Sequence, residues 1–205
     1  MSESALERRA FWHIQLCVLL WGFTAILGKL ITLPAQSLVV WRMAIVAVLL
    51  ALLPQVWQGL RSMPPKRLLT YAGIGCIVAL HWLTFYGAIK LANASVAVAC
   101  LALGSVSAAI IEPLVFRRKH KFSELALGVL AIPGVVLLIG GVPLDMQLGV
   151  FVGVISAVLT AIFAVLSKKF VSDADTASIT FIEMIAGTVL LILVASTFSS
   201  EPWFA

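Results

Sequence analysis

Few side chains in this sequence can do chemistry, and each of them stands inside a long apolar stretch. His81 lies near the middle of one, beside Trp82, Thr84 and Tyr86. A central imidazole can donate to a ligand or shuttle a proton; the bland alternative is a neutral ring bonded to a carbonyl of a neighbouring helix. Arg42 and Glu183 each stand about six residues inside their stretches. A charge at such depth costs ~2.5–3.5 kcal/mol on insertion scales, so each calls for a reason. Arg42 could clamp a carboxylate bidentately, against snorkelling or a structural pair. Glu183 is the better candidate for a proton- or substrate-coupled group, against pairing with a cation. Trp21 and Tyr86 offer flat faces for a substrate ring, or simply for core and lipid packing. Ser105, with Ser107 beside it, lies next to a stripe of small residues (Ala97, Cys100, Gly104, Ala108) and could border a substrate path. The candidate substrate-binding set is therefore His81, Glu183, Arg42, Trp21, Tyr86 and Ser105.

Other chemistries lack their residues. There is no His-Glu-x-x-His, no Gly-x-Ser-x-Gly and no Gly-x-x-x-x-Gly-Lys-Ser/Thr loop, so catalysis and ATP-driven transport have no local basis. Cys17, Cys76 and Cys100 show no metal-ligand spacing and no disulfide framework. We expect no enzyme activity, no metal and no cofactor.

The elements that must hold the candidates are seven apolar stretches, at 11–33, 36–57, 68–91, 94–116, 123–142, 147–167 and 177–198. Each runs to about 20 residues, the length at which a helix rising ~1.5 Å per residue crosses a ~30 Å hydrocarbon core. The composition, 62% hydrophobic and 11% charged, could not cover a water-soluble surface. The first stretch is too long for a signal-peptide core and no small-x-small site follows it, so it reads as a retained span. The chain is expected to be an all-α membrane protein, a polytopic helix bundle of seven spans in the cell membrane.

Charge sets the expected orientation. Of the 14 Lys and Arg residues, those between stretches are Arg8, Arg9, Arg61, Lys66, Arg67, Arg117, Arg118, Lys119, Lys121, Lys168 and Lys169. All fall before the first stretch or in the second, fourth and sixth gaps. Short basic loops stay in the cytoplasm, which puts the N-terminus there. The net charge of +5 is the sum of these signals and of some attraction to anionic headgroups, not a nucleic-acid footprint. Lys29 and Lys90 break the trend at the outer ends of spans one and three. They either snorkel or line an anion-attracting vestibule. Glu112 is expected to be compensated by the basic loop that follows it. The other gaps are very short, so sequential helices should be antiparallel neighbours. The sixth stretch carries Gly149, Gly153, Ala157 and Ala161, a spacing that lets helix backbones approach closely.

An internal repeat is visible. Residues 19–31 (LLWGFTAILGKLI) align with 158–170 (VLTAIFAVLSKKF), and the run from Arg42 (RMAIVAVLLALL) with that from Glu183 (EMIAGTVLLILV). Five spans separate the copies, so the second must be inverted, as in transporters whose site lies between repeats near the midplane. With these segments in view, the chain resembles the EamA family of the drug/metabolite transporter superfamily. The likeness is carried by LLWGFTAILGK, VVWRMAIVAVLLALL, HWLTFYGAIKLANASVAVACLALGSVSAAIIEPLVFRRK, ELALGVLAIPGVVLLIGG, ISAVLTAIFAVLSKKF and ITFIEMIAG. Glu112-Pro113 before a basic loop and the Glu183 position are its more specific parts. A Pro common in the family's fourth helix is replaced by the neighbourhood of Gly104 and Ser105.

The resemblance implies a secondary transporter that moves small metabolites or drugs, often outward, with ten helices in two five-helix repeats. On that frame residues 11–142 form the first repeat and 147–205 the first two helices of a second. A loop would begin at Ser199 to Trp203. Its expected partners are a small-molecule substrate, the lipid bilayer, and a second copy or a completing chain. The alternatives are an inactive or assembly-dependent transporter remnant and, less readily, a seven-helix receptor. A receptor would need an external N-terminus, and the seventh stretch has no Lys for retinal. The orientation is testable: in a background without native cysteines, an impermeant reagent applied outside should label Asp145→Cys and spare His120→Cys. Strong outside labelling at position 120 would reverse the topology.

Overall fold

Where no water is available, a backbone must satisfy its own N–H and C=O groups, and apolar runs of spanning length become helices. The structure, a computed structural model, describes residues 3–171 and 174–198. Among these are ten α-helices and no strand: α1 Glu3–Leu30, α2 Ala35–Ala51, α3 Pro54–Ser62, α4 Pro65–Leu91, α5 Ala94–Leu101, α6 Leu103–Phe116, α7 Phe122–Val129, α8 Ala131–Gly140, α9 Gln147–Phe170 and α10 Thr176–Phe198. A 3-10 turn at Leu144–Met146 leads into α9. The chain is an all-α polytopic membrane protein. The expected loop from Ser199 to Trp203 lies outside the described residues.

Five segments are long and apolar enough to cross a membrane: Glu7–Leu30, Pro65–Leu91, Ala94–Phe116, Leu144–Phe170 and Thr176–Ala195. The seven equal spans read from the sequence therefore need two corrections. The second stretch is broken, because α2 and α3 meet at 90°. Pro54 opens α3 without an N–H to give, and it holds Leu53 in an extended conformation (φ −88°, ψ 118°). The Trp57 indole Nε1 then donates to Ala51 O at 2.8 Å, using a carbonyl that the end of α2 leaves free. The fifth stretch is divided between α7 and α8, and its apolar helix Phe122–Leu137 is shorter than a spanning helix. α5 and α6 count as one span with a joint at Ala102; Asn93 caps its start by accepting from Val96 N at 2.9 Å.

α4 is the central helix, packed against α1, α2, α5, α9 and α10. Its two most extensive contacts depend on missing side chains. Against α10, a Cβ on Gly75 would fall inside the backbone of Glu183. A Cβ on Gly187 would lie 2.9 Å from both Ala79 Cβ and Gly75 O, and would strike Met43 of α2 as well. Along α9 the stripe Gly149, Gly153, Ala157 and Ala161 is buried. A Cβ on Gly149 would stand 2.7 Å from Ala92 Cβ, and one on Gly153 would stand 3.0 Å from Cys100 Sγ. α1 is held only along its second half, by Ala25 and by Gly28 against the Tyr86 ring. Its remaining face, with Phe11, Trp12, Leu16 and Leu19, is exposed.

The alternation of basic gaps becomes geometry. Glu112 Oε1 accepts from Arg118 Nη2 at 2.6 Å and from Lys168 Nζ at 2.7 Å. Lys169 Nζ donates to Val115 O at 3.2 Å, and the Arg67 guanidinium lies 5.4 Å over the Phe170 ring. The gaps after α3, α6 and α9 thus meet at one basic end. At the opposite end Lys90 Nζ donates to Ile31 O. The Gly75 contact is testable: Gly75→Ala should cost ~1–3 kcal/mol, the usual overpacking penalty. Gly73→Ala, where a Cβ meets nothing within 4 Å, should be nearly neutral. Equal melting temperatures for the two variants would refute the close approach.

Candidate functional site

The polar groups gather against two faces of α4, one that carries Gly75, Ala79, Trp82 and Tyr86 at i, i+4, i+7 and i+11, and one that carries His81. On the face toward α2, Trp82 and Tyr86 sit four residues apart and so lie one above the other. The Arg42 guanidinium carbon from α2 stands 5.0 Å from the Trp82 ring centroid and 5.2 Å from that of Tyr86. Such cation–π contacts hold the cation without neutralising it. Arg42 is half-buried and has no carboxylate partner among the described residues. Tyr86 is 1% exposed, and its hydroxyl has no hydrogen-bond partner among the described residues. An aromatic edge contact with Phe85 (5.4 Å, 74°) and the close pass of Gly28 hold its ring in place.

On the face toward α9, His81 is buried and fully engaged. Its Nδ1 lies 3.1 Å from Ser156 O, 2.9 Å from Ser156 Oγ and 2.8 Å from Thr160 Oγ1. A carbonyl oxygen only accepts, so the tautomer with its proton on Nδ1 fits this setting. The hydroxyls then donate to carbonyls, Ser156 Oγ to His81 O at 3.2 Å and Thr160 Oγ1 to Ser156 O at 2.9 Å. Phe85 and Phe163 flank the ring at 6.2 and 5.4 Å. The contact of Nδ1 with a carbonyl of the neighbouring helix ties α4 to α9.

Farther along the face of Trp82 and Tyr86, Glu183 of α10 is half-buried, with its backbone against Gly75. It has no hydrogen bond or ion pair among the described residues. Arg42 and Glu183 do not meet. Trp82 and Tyr86 lie two to three helical turns beyond Gly75, roughly 10–16 Å along α4, and the Met43–Ala79–Gly187 contact lies between.

Of the six candidates, the structure brings Arg42 and Tyr86 together, places His81 on another side of α4, and places Glu183 two to three turns away along the same side. Trp21 is 71% exposed on α1, away from the group. Ser105 is exposed too, its hydroxyl donating to Ala102 O at 2.7 Å at the joint between α5 and α6. Sequence reasoning missed Trp82 as a cation partner, and missed Ser156 and Thr160. These two hydroxyls directly precede Ala157 and Ala161 of the small-residue stripe, which is the signal that could have found them. It also missed Tyr71, which donates to Phe170 O at 3.0 Å. An apolar groove lined by Leu68, Ala72, Phe181 and Ile185 opens between α4 and α10 and holds none of the candidates. No group of three His, Cys, Asp or Glu that could hold a metal occurs among the described residues.

A family model described as the EamA-like transporter family matches residues 10–140. No curated protein and no solved structure matches the chain. The match covers α1 through α8, and so includes Arg42, His81, Trp82 and Tyr86.

The His81 network is testable as a coupling. A double-mutant cycle of His81→Ala and Ser156→Ala should give an interaction energy of about 0.6–1.7 kcal/mol, the range of hydrogen bonds between membrane helices. Strict additivity would mean that the two side chains do not act together.

Proposed function

We propose, from the premise that the chain belongs to the EamA-like transporter family and is a membrane permease for small molecules, that it exports small metabolites or drugs across the cell membrane as a secondary transporter. One observation carries this reading: two charged side chains, Arg42 in the apolar helix α2 and Glu183 in the membrane-length helix α10, have no opposite charge paired to them among the described residues. In hydrocarbon such groups mark substrate or ion pathways. Glu183 is the group we assign to coupling. Arg42, with Tyr86, takes the substrate. His81 stands behind them as the post that fixes α4 against α9.

The proposed orientation follows the basic end, which short Lys- and Arg-rich loops hold in the cytoplasm together with the N-terminus. The proposed organisation is two inverted repeats, 11–142 and 147–205, with the site between them. That reading is supported by the equivalent helices α2 and α10, which lie against each other and both against α4. No catalytic chemistry is assigned.

The test is flux across proteoliposomes with the purified chain and a panel of labelled small metabolites. The wild type should show saturable transport. Glu183→Gln should lower its rate about tenfold or more and flatten its response to pH. Absence of saturable flux would contradict the reading, as would a folded Glu183→Gln protein with unchanged rate and pH response.

A further inference from the structure

We propose that Arg42, Trp82 and Tyr86 form a subsite that binds the carboxylate of a small organic acid. The proposal deepens the transport reading and rests on it for what happens to the acid after binding. It rests on the geometry alone for the binding itself.

Three observations converge on one spot. First, the guanidinium carbon of Arg42 stands over two rings, 5.0 Å and 5.2 Å from their centroids, and the group makes no hydrogen bond or ion pair among the described residues. A cation–π contact positions the cation without neutralising it, and the planar fork has N–H groups to give to a bidentate acceptor. Second, the Tyr86 hydroxyl is buried with no hydrogen-bond partner among the described residues, on one of the two rings that Arg42 covers. A hydroxyl donates as well as accepts, so one oxygen of a carboxylate on Arg42 would also give this orphan its partner. A buried polar group left unmade is costly, which makes an unmade pair on a rigid ring a poor structural device and a good receptor. Third, the charge around this spot has one sign. The last turn of α1 carries Lys29 and the last turn of α4 carries Lys90, whose Nζ is occupied by Ile31 O. The other described carboxylates sit elsewhere. Glu112, Glu124 and Asp175 are at the basic end, Glu183 is against Gly75, and Glu7 lies at the far end of α1. Asp145 is at the same end as Lys90, but it is exposed in the 3-10 turn and makes no ion pair among the described residues.

The count of groups favours a monoanion. One guanidinium and one hydroxyl match the charge and the acceptors of a carboxylate. A doubly charged phosphate would keep one charge unpaired beside Trp82 and Tyr86, and burying an unpaired charge is strongly unfavourable. A neutral amide of the same shape would leave the guanidinium uncompensated. The apolar rings that frame Arg42 suit an acid whose remaining part is apolar.

The experiment is equilibrium binding to the purified full chain in nanodiscs, followed by tryptophan emission, with Trp82→Phe identifying the reporting residue. The probes are phenylacetate, its neutral analogue phenylacetamide, and inorganic phosphate. Phenylacetate should bind saturably, and the other two at least about tenfold more weakly. Arg42→Gln should weaken phenylacetate about tenfold or more, the loss expected of hydrogen bonds to a charged group. Tyr86→Phe, which keeps the ring, should weaken it about threefold without lowering the melting temperature. Equal binding of acid and amide, equal competition by phosphate, or an unchanged affinity in the folded Tyr86→Phe protein would each overturn the subsite. Should Arg42→Gln fail to fold, the amide comparison and Tyr86→Phe still decide. A chain that binds phenylacetate in this way and carries no solute upholds the subsite and defeats the transport reading. One that carries solutes without preferring acid to amide defeats the subsite alone.

Discussion

Where α4 passes α10, Gly75 and Gly187 remove the Cβ atoms that would keep the two backbones apart, and the tip of Met43 from α2 enters the same gap. In lipid, helices gain nothing from leaving a solvent as apolar as themselves, so association depends on how closely backbones approach. One contact therefore ties three helices. A second set of small residues on α9 does the same elsewhere, Gly149 against the end of α4 at Leu91 and Ala92, and Gly153 against Cys100 of α5. Once these approaches are made, the rotation of α4 is set, and with it the neighbour that each of its polar residues meets.

The contrast between His81 and Arg42 follows from that rotation. His81 meets two hydroxyls and a carbonyl of α9, and every one of them is used. A satisfied buried network rigidifies and has little left to offer a ligand. Arg42 meets two ring faces and no carboxylate among the described residues, so its position is fixed and its hydrogen-bonding edge remains open. Met43, the residue next to Arg42, is itself part of the three-helix contact. The clamp that holds the bundle and the group proposed to take a solute are thus adjacent on one turn of α2.

Much of this arrangement was readable from residue types. The small-residue stripe of α9, the depth of His81 and the grouping of basic residues in alternate gaps are periodic or compositional signals, and helices preserve them. The bend between α2 and α3 was also written in the chain, at Pro54, but hydropathy alone passes over it because the residues on both sides stay apolar. The division of α7 from α8 has a comparable signal in Pro133, which has no N–H for the carbonyl of Val129 four residues before it. What could not be read was cross-helix pairing. Trp82 and Tyr86 are four apart on α4, yet nothing in their spacing says that Arg42 arrives from α2 rather than Glu183 from α10. Trp21 and Ser105 were reasonable candidates by type. Trp21 is exposed because the packing of α1 begins only at Thr24 and Ala25, one turn beyond it, and Ser105 spends its hydroxyl on the joint at Ala102. Lys168, which joins Arg118 on Glu112, stands 56 residues away and was invisible for that reason.

The central claim is that Arg42 and Glu183 face a path for water and solute rather than lipid. A thiol reacts as its thiolate, which forms only where water reaches it. The direct measurement is therefore modification by a small charged thiol reagent in membranes, with Cys17, Cys76 and Cys100 replaced. Arg42→Cys and Glu183→Cys would be compared with Leu193→Cys on the exposed apolar face of α10. The account predicts that positions 42 and 183 react many times faster than position 193. If both are as inert as position 193, the two charges have no aqueous path and the account is wrong.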